Sequence, residues 1–323
     1  MAQFLTTTIT MTDSQPLGVS VVIPTHNRSE LLWMTLDALR DQTARQLLLE
    51  VIVVSDGSID ATGETVRHFS DLLPIKFLEQ PQRGVSSARN RGLTEAISPL
   101  VLLLDDDIIP SPQLIEAHIR FHQEMPALEA ALLGYVTWYP DLAVTPYMRW
   151  FGEYGALFGY SLLADGQEIS PRYLYSCNVS FKTVFLREHG GFNEALTVLE
   201  DHELGYRLAQ HGMRLTFQKR ALGYHYQTFT FEESCKRLER YSGGLNAFLA
   251  TDAGRALAKR RRSLSFRLTE RAVRIAAPLL SPLMRIIDAD MRMPNAIYRL
   301  FYWYYAAYLS FWSRADKWLL RGR

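Results

Sequence analysis

The chain has 323 residues, enough for one large α/β domain or a domain with an appendage. It is 48% hydrophobic and 21% charged with a net charge of +1, an ordinary globular balance that gives no general attraction to nucleic acid. Two cysteines, Cys177 and Cys235, are too few for a disulfide framework and lack metal-ligand spacing, so a reduced, cytoplasmic setting is expected.

In chain order, residues 1–17 lack the basic and long apolar regions of a signal peptide and read as a flexible leader. "VSVVIP" (19–24) is β-branched and predicts a strand ending near Pro24. "SELLWMTLDALRDQ" (29–42) has apolar residues at helical spacing, with Ser29 in the place of an N-cap. Strands are predicted again over 50–55, 75–80 and 100–104, and helices over 60–69, 86–97 and near 112–122. Such alternation with short links implies a Rossmann-like, mostly parallel sheet flanked by helices, whose ligands bind at the carboxyl ends of the strands.

Polar residues gather at those ends. Thr25, His26, Asn27 and Arg28 follow the first strand, Asp56, Gly57, Ser58 and Asp60 the second, and Arg83 and Gly84 the third. The fourth, "LVLLL" (100–104), runs straight into Asp105, Asp106 and Asp107. Turns favour Asp, Gly and Ser at any one strand end, and an acid there often only caps the next helix. Four polar ends in register point to a site.

The chain lacks both the G-x-G-x-x-G dinucleotide fingerprint and the G-x-x-x-x-G-K-[ST] phosphate loop. Carboxylates repel phosphates but hold them through a divalent cation such as Mg²⁺ or Mn²⁺. Further along, "LEDHELGYRLAQHG" (199–212) predicts a helix with Leu204 and Leu208 buried and with Glu200 and Asp201 at its start. Acids in a first turn complement the helix dipole, and either acid is also a candidate general base.

Five segments, "VSVVIPTHNR", "VIVVSDGSIDAT", "RGVSSARNRGL", "LLLDDD" and "GGFNEALTVLEDHELGYRLAQHG", resemble in order and spacing the family 2 inverting glycosyltransferases. The resemblance covers residues 18–230 and implies a GT-A fold, with a nucleotide-binding half (18–125) and an acceptor half (126–230). It also implies a nucleotide-sugar donor of UDP, GDP or dTDP type, Mn²⁺ or Mg²⁺, and a carbohydrate or lipid-linked acceptor. Carried over residue by residue, Pro24, Thr25, His26 and Asp56 would surround the nucleobase, and Arg83 would lie near the base or diphosphate. Asp105 would face the ribose and Asp107 the metal, with Asp106 open to either role. Asp201 would be the base, Glu200 would position the acceptor, and His225 would lie near the diphosphate or metal.

Two departures stand out. Ser55 precedes Asp56 where paired acids are common, and "CKRLERYSGG" (235–244) replaces the Q-x-x-R-W motif of processive synthases, which favours a single addition. The competing reading is a catalytically silent nucleotide-sugar-binding scaffold. A sugar nucleotidyltransferase lacks its G-x-G-T-R loop here.

The remaining segment, 231–323, reads as a helical C-terminal extension. "KRRR" (259–262) precedes "AIYRLFYWYYAAYLSFW" (296–312), which carries nine aromatics in seventeen residues. No apolar run is long enough to span a bilayer. The composition suits either a helix at a membrane interface, peripheral at the cytoplasmic face, or a packing surface for the main domain or a homodimer partner.

Overall fold

The computed structural model describes residues 17–153 and 157–259, so the leader through residue 16 and the aromatic segment 296–312 lie outside the described residues. The first half alternates as its sequence pattern predicts. It runs β1 (Val19–Thr25), α1 (Ser29–Arg40), β2 (Leu48–Asp56), α2 (Thr62–Phe69), β3 (Ile75–Gln80), α3 (Val85–Glu95) and β4 (Leu100–Leu104). Strands β1 and β4 are buried at every residue, which explains their unbroken apolar runs: both sheet faces are covered. Each Val or Leu so buried contributes about 1.5–3 kcal/mol relative to exposure.

The second half departs from simple alternation. β5 (Ile108–Pro110) and α4 (Leu114–Glu124) lead to β6 (Ala130–Trp138) and α5 (Pro146–Glu153). Then follow β7 (Asn178–Lys182), α6 (Thr183–Glu188), α7 (Glu200–Gln210), β8 (Arg214–His225), α8 (Phe231–Leu249) and α9 (Asp252–Lys259). The eight strands form one sheet in the order β3-β2-β1-β4-β7-β6-β8-β5. Pairing is parallel from β3 to β4, whereas β7 runs antiparallel to both β4 and β6, and β5 antiparallel to β8. The expectation of a mostly parallel sheet therefore holds for the first four strands and gives way to mixed pairing beyond them.

Local contacts fix how the layers meet. Gly92 lets α3 lie close on the sheet, because a Cβ there would collide with the Val22 side chain of β1. Ser29 is the first helical residue of α1 and not its cap; Arg28 holds the cap position, and the Asp60 carboxylate accepts the Ser29 N–H at 2.9 Å. The acid from the neighbouring loop thus does what the serine hydroxyl was expected to do.

Behind the sheet, α4 is pinned to β7 through neutral groups. His118 contacts the Ser180 hydroxyl at 2.8 Å and the Asn178 carbonyl at 2.9 Å, and His122 reaches the same hydroxyl at 2.9 Å. Both rings are buried. Burial disfavours the imidazolium, pushing His118 down to about 4 and His122 down as well. Cys177 is a buried free thiol, whereas the Cys235 side chain lies outside the described ones. Among the described residues no helix is long and apolar enough to cross a membrane.

Candidate active site

A cleft of about 800 Å³ opens at the carboxyl end of β4, between that strand, the start of α7, the end of β8 and the first turns of α8. The buried strand β4 delivers the aspartate triplet to its floor. Asp105 N–H donates to the Cys177 carbonyl at 3.2 Å and Ile108 N–H donates back to the Asp105 carbonyl at 3.1 Å, which closes the turn. The three side chains then diverge. Asp105 and Asp107 face the cleft, whereas Asp106 is buried behind it, accepting from the Thr25 hydroxyl at 2.8 Å.

Three adjacent carboxylates demand compensation, and two arginines supply it. Arg28 forks across Asp106 Oδ1 at 2.9 Å and Asp107 Oδ2 at 2.5 Å. Arg89 pairs with Asp105 Oδ1 at 2.8 Å and lies 3.6 Å from Glu200 Oε1. The Arg89 side chain is only 5% exposed, and its guanidinium sits over the Phe192 ring. Burial alone would lower the Arg89 pKa, but Asp105, Asp201 and Glu200 outweigh it and raise it. Arg28 was expected only as one of the polar residues after the first strand, with no role of its own, and Arg89 was not among the expected site residues. Arg89 does carry a sequence signal: on α3 it shares the buried face with Ser86 and Leu93, where a cation is costly unless paired.

Within the triplet the charges are unequal. Burial pushes Asp106 up to about 7, with Arg28 opposing and Asp107 adding to the rise. Burial also acts against the Asp107 anion, yet His225 and Arg28 prevail and hold it well below the ordinary carboxylate range. His225, the last residue of β8, places Nε2 3.2 Å from Asp107 Oδ2 and stacks on Trp138 with ring centroids 5.5 Å apart. Its Nδ1 is buried with no hydrogen-bond partner, so ring stacking and the Asp107 contact orient the imidazole.

Asp107 and His225 offer one carboxylate oxygen and one imidazole nitrogen to a cation. Among the described residues no group of three His, Cys, Asp or Glu side chains is arranged to hold a metal. Two protein donors suit an ion of Mg²⁺ or Mn²⁺ type, which keeps water and substrate phosphate in its remaining positions. The donor chemistry therefore fits.

Across the cleft, α7 begins at Glu200 directly after Leu199, a non-glycine residue at φ 59°. A left-handed leucine costs roughly 1–2 kcal/mol, and such strain tends to persist where the chain must aim a particular side chain. Here it precedes the two acids that line the cleft. Asp201 Oδ2 accepts the Ser176 N–H at 3.1 Å, while Oδ1 is buried with no hydrogen-bond partner. Burial and the neighbouring Asp201 charge raise the Glu200 pKa, with Arg89 opposing.

The remaining expected residues form a second cluster, away from the cleft floor. Asp56 Oδ1 accepts from Gln80 Nε2 and from Arg83 N–H, both at 2.8 Å, and Oδ2 accepts Gly84 N–H at 2.8 Å. Gly84 sits at φ 96°, a backbone that a side chain would strain, and caps α3. His26 Nδ1 donates to the Asp56 carbonyl at 2.7 Å, and its Nε2 faces the amides of Asn27 and Gln82. Ser55, in place of a second acid, lies beneath the turn with its hydroxyl 3.4 Å from Ser58 N. Pro24 is buried in β1 opposite Val54. The Arg83 side chain is 63% exposed and pairs with Glu194 at 3.1 Å.

An aromatic wall completes the cleft on its far side, from Phe151, Phe158 and Tyr175. Arg237 of α8 lines the same opening.

Comparisons with known proteins agree with this architecture. The family model "Glycosyl transferase family 2" matches residues 20–158, and "Glycosyl transferase family group 2" matches 100–313, more than half of the chain. A validoxylamine A glucosyltransferase from Streptomyces hygroscopicus subsp. jinggangensis is 33% identical over 230 residues, covering 64% of this chain and 54% of its own. A chondroitin synthase from Escherichia coli is 28% identical over 242 residues, with 64% and 34% covered. The chain thus spans about half the length, or less, of these relatives.

Among solved structures, the mannosyltransferase PcManGT from Pyrobaculum calidifontis, in complex with GDP-Man and Mn²⁺, superposes with a TM-score of 0.59 at 18% identity. That match covers 94% of this chain and 88% of the other. S. aureus TarS 1-349 in complex with UDP-GlcNAc gives 0.55 at 20% identity, covering 73% and 67%. These likenesses show the fold, the mixed α/β sheet of GT-A enzymes. The chain belongs to glycosyltransferase family 2.

Proposed function

We propose that the chain transfers a sugar, with inversion, from a nucleoside-diphosphate donor to an acceptor hydroxyl, and that Asp201 is the general base. The observation that carries this reading is Asp201 itself: it lines the cleft, one oxygen is fixed by Ser176 N–H, and the other is buried with no hydrogen-bond partner. A carboxylate used only to complement the α7 dipole has no need of a site in a cleft that also holds Asp105 and Asp107.

The chemistry follows from that placement. Asp201 Oδ1 takes the acceptor proton as the hydroxyl oxygen bonds to the anomeric carbon. The anomeric carbon–oxygen bond to phosphate breaks on the opposite face, and its electron pair leaves on the diphosphate. When held by Asp107 and His225, a divalent cation supplies Lewis-acid neutralisation of that leaving charge. Arg89 ties Asp105 on the donor side to Glu200 beside the base, so donor and acceptor ends share one rigid cation. Asp56 offers its remaining acceptor capacity to a nucleobase N–H, next to His26. Phe151, Phe158 and Tyr175 provide flat apolar faces suited to the sugar ring of a carbohydrate or lipid-linked acceptor.

Screening UDP-, GDP- and dTDP-sugars for consumption, with Mn²⁺ and with EDTA, tests the reading. One donor class is expected to be consumed in Mn²⁺ alone; equal turnover in EDTA removes the metal from the mechanism, and no turnover with any donor opposes transfer. Attachment to a membrane face through residues 259–323 rests on the sequence and is tested by flotation of the full chain with anionic liposomes.

A further inference from the structure

Asp107 is the carboxylate that the reading above gives to a divalent cation, and in the structure a cation already lies on it. Arg28 sits in the turn between β1 and α1. Its Nη2 is 2.5 Å from Asp107 Oδ2, the same oxygen that His225 Nε2 approaches to 3.2 Å. Its Nη1 is 2.9 Å from Asp106 Oδ1. Guanidinium and imidazole therefore converge on one carboxylate oxygen, and a metal held by Asp107 and His225 would share that carboxylate with the Arg28 charge.

The two arginines at the triplet are not alike. The Arg89 side chain is 5% exposed, whereas that of Arg28 is 34% exposed and lines the open cleft. Arg89 is enclosed by α3, β4 and α7. Arg28 has room to turn, and an anion entering the cleft would meet its guanidinium.

We infer that Arg28 is a displaceable counter-ion that competes with the divalent cation for Asp107 and so sets the metal affinity of the free protein. This rests on the reading of Asp107 and His225 as the metal donors. It has a second consequence. Two cations crowd one carboxylate until an anion arrives, so a nucleoside diphosphate, by accepting the released guanidinium, relieves that repulsion. Metal and nucleoside diphosphate then strengthen each other's binding, and by linkage the factor is the same in both directions.

The test needs neither the donor sugar nor turnover. Free Mn²⁺ is followed by electron paramagnetic resonance as it is titrated with the full chain, for wild type, Arg28→Met, Arg28→Lys and Asp107→Asn. Arg28→Met is expected to bind Mn²⁺ about tenfold more tightly than wild type. Arg28→Lys should fall between, since an ammonium is a point charge that cannot fork across both carboxylates. Adding UDP, GDP or dTDP in turn should tighten Mn²⁺ binding more in wild type than in Arg28→Met.

The inference is overturned if Arg28→Met binds Mn²⁺ no better than wild type while Asp107→Asn loses binding, because Asp107 is then a ligand for which Arg28 does not compete. If Asp107→Asn binds Mn²⁺ as wild type does, the metal reading itself fails and the inference with it. Should Arg28→Met not fold, Arg28→Lys carries the decision, with tighter binding than wild type expected and equal or weaker binding overturning it.

Discussion

The aspartates after β4 and the acids that open α7 face each other across one cleft, yet the chain treats their charge differently. Asp105, Asp106 and Asp107 are each paired with an arginine, and their backbone is locked into turns. Glu200 lies 3.6 Å from a guanidinium that already pairs with Asp105, and Asp201 keeps one buried oxygen with no hydrogen-bond partner. A paired carboxylate is a scaffold that holds something else in place. An unpaired buried oxygen costs stability, and the base role proposed for Asp201 gives a reason to retain it. On the proposed reading, the difference separates binding from chemistry within a single pocket.

The largest expected effect breaks the chemistry and spares the binding. Asp201→Asn should lower transfer by roughly 10²–10⁴-fold, the range that a positioned general base supplies. Nucleoside diphosphate affinity, measured by calorimetry, should stay near wild type. A variant that still transfers at the wild-type rate sinks the assignment of the base.

Among the described residues, Arg89 pairs with an acid of each region. Arg89→Met leaves Asp105 and Glu200 without their cation, and breaking a buried pair from one side costs about 3–5 kcal/mol. Because Asp105 is 28% exposed, the lower end of that range is expected, read as a shift in the urea midpoint. Wild-type stability in that variant would mean that the two regions are held independently.

Most of the first half of this fold could be read from the chain, because local pattern decides it. Strands β1 to β4 are runs of Val, Ile and Leu between polar turns, and α1 to α3 show helical spacing. Boundaries slipped where side chains from elsewhere intervene: α1 stops at Arg40, two residues before the apolar pattern suggested, and α4 starts at Leu114. β5 escaped notice because three residues make a strand only by pairing with β8, far along the chain. The antiparallel strands β6 and β7 were hidden in an aromatic-rich stretch that reads equally as core. At the site, the carboxylates stood out at a strand end and a helix start and drew their roles from the family resemblance, but their partners were not legible. Arg28 and Asp107 are 79 residues apart, and only the fold brings them together.

Acid acts first on the histidines that burial holds neutral. His118 titrates near 4 in the folded chain and near 6.5 in an unfolded one, so the unfolded state binds the proton first as pH falls. Its contribution is complete above pH 6.5 and is lost as pH drops towards 4, a change of about 3 kcal/mol, with His122 acting in the same direction. Asp106 and Glu200 have raised pKa values, and their protonation in the folded state opposes that loss. Burial also lowers the pKa of His202, which lines the cleft, so acid weakening is expected from such histidines both behind the sheet and at the cleft. His118→Gln is expected to flatten the fall in melting temperature between pH 6.5 and 4; an unchanged slope would move the cause to His122 and His202.

The smallest effect sharpens the comparison at the donor end. Asp56 spends its carboxylate on Gln80 and on two successive backbone N–H groups, those of Arg83 and Gly84. Asparagine has one acceptor oxygen in place of two and turns a donor towards at least one of these N–H groups. Leaving one such donor unpaired costs about 1–3 kcal/mol, readable by urea denaturation. The loop it holds ends at Gly84 and starts α3, the helix that carries Arg89, so loosening it should also weaken nucleoside diphosphate binding. Transfer from a saturating donor should stay close to wild type, the reverse of Asp201→Asn. If stability falls while nucleotide affinity holds, Asp56 is a strut for the loop and base recognition passes to its neighbours, with His26, pinned on the Asp56 carbonyl, the nearest candidate.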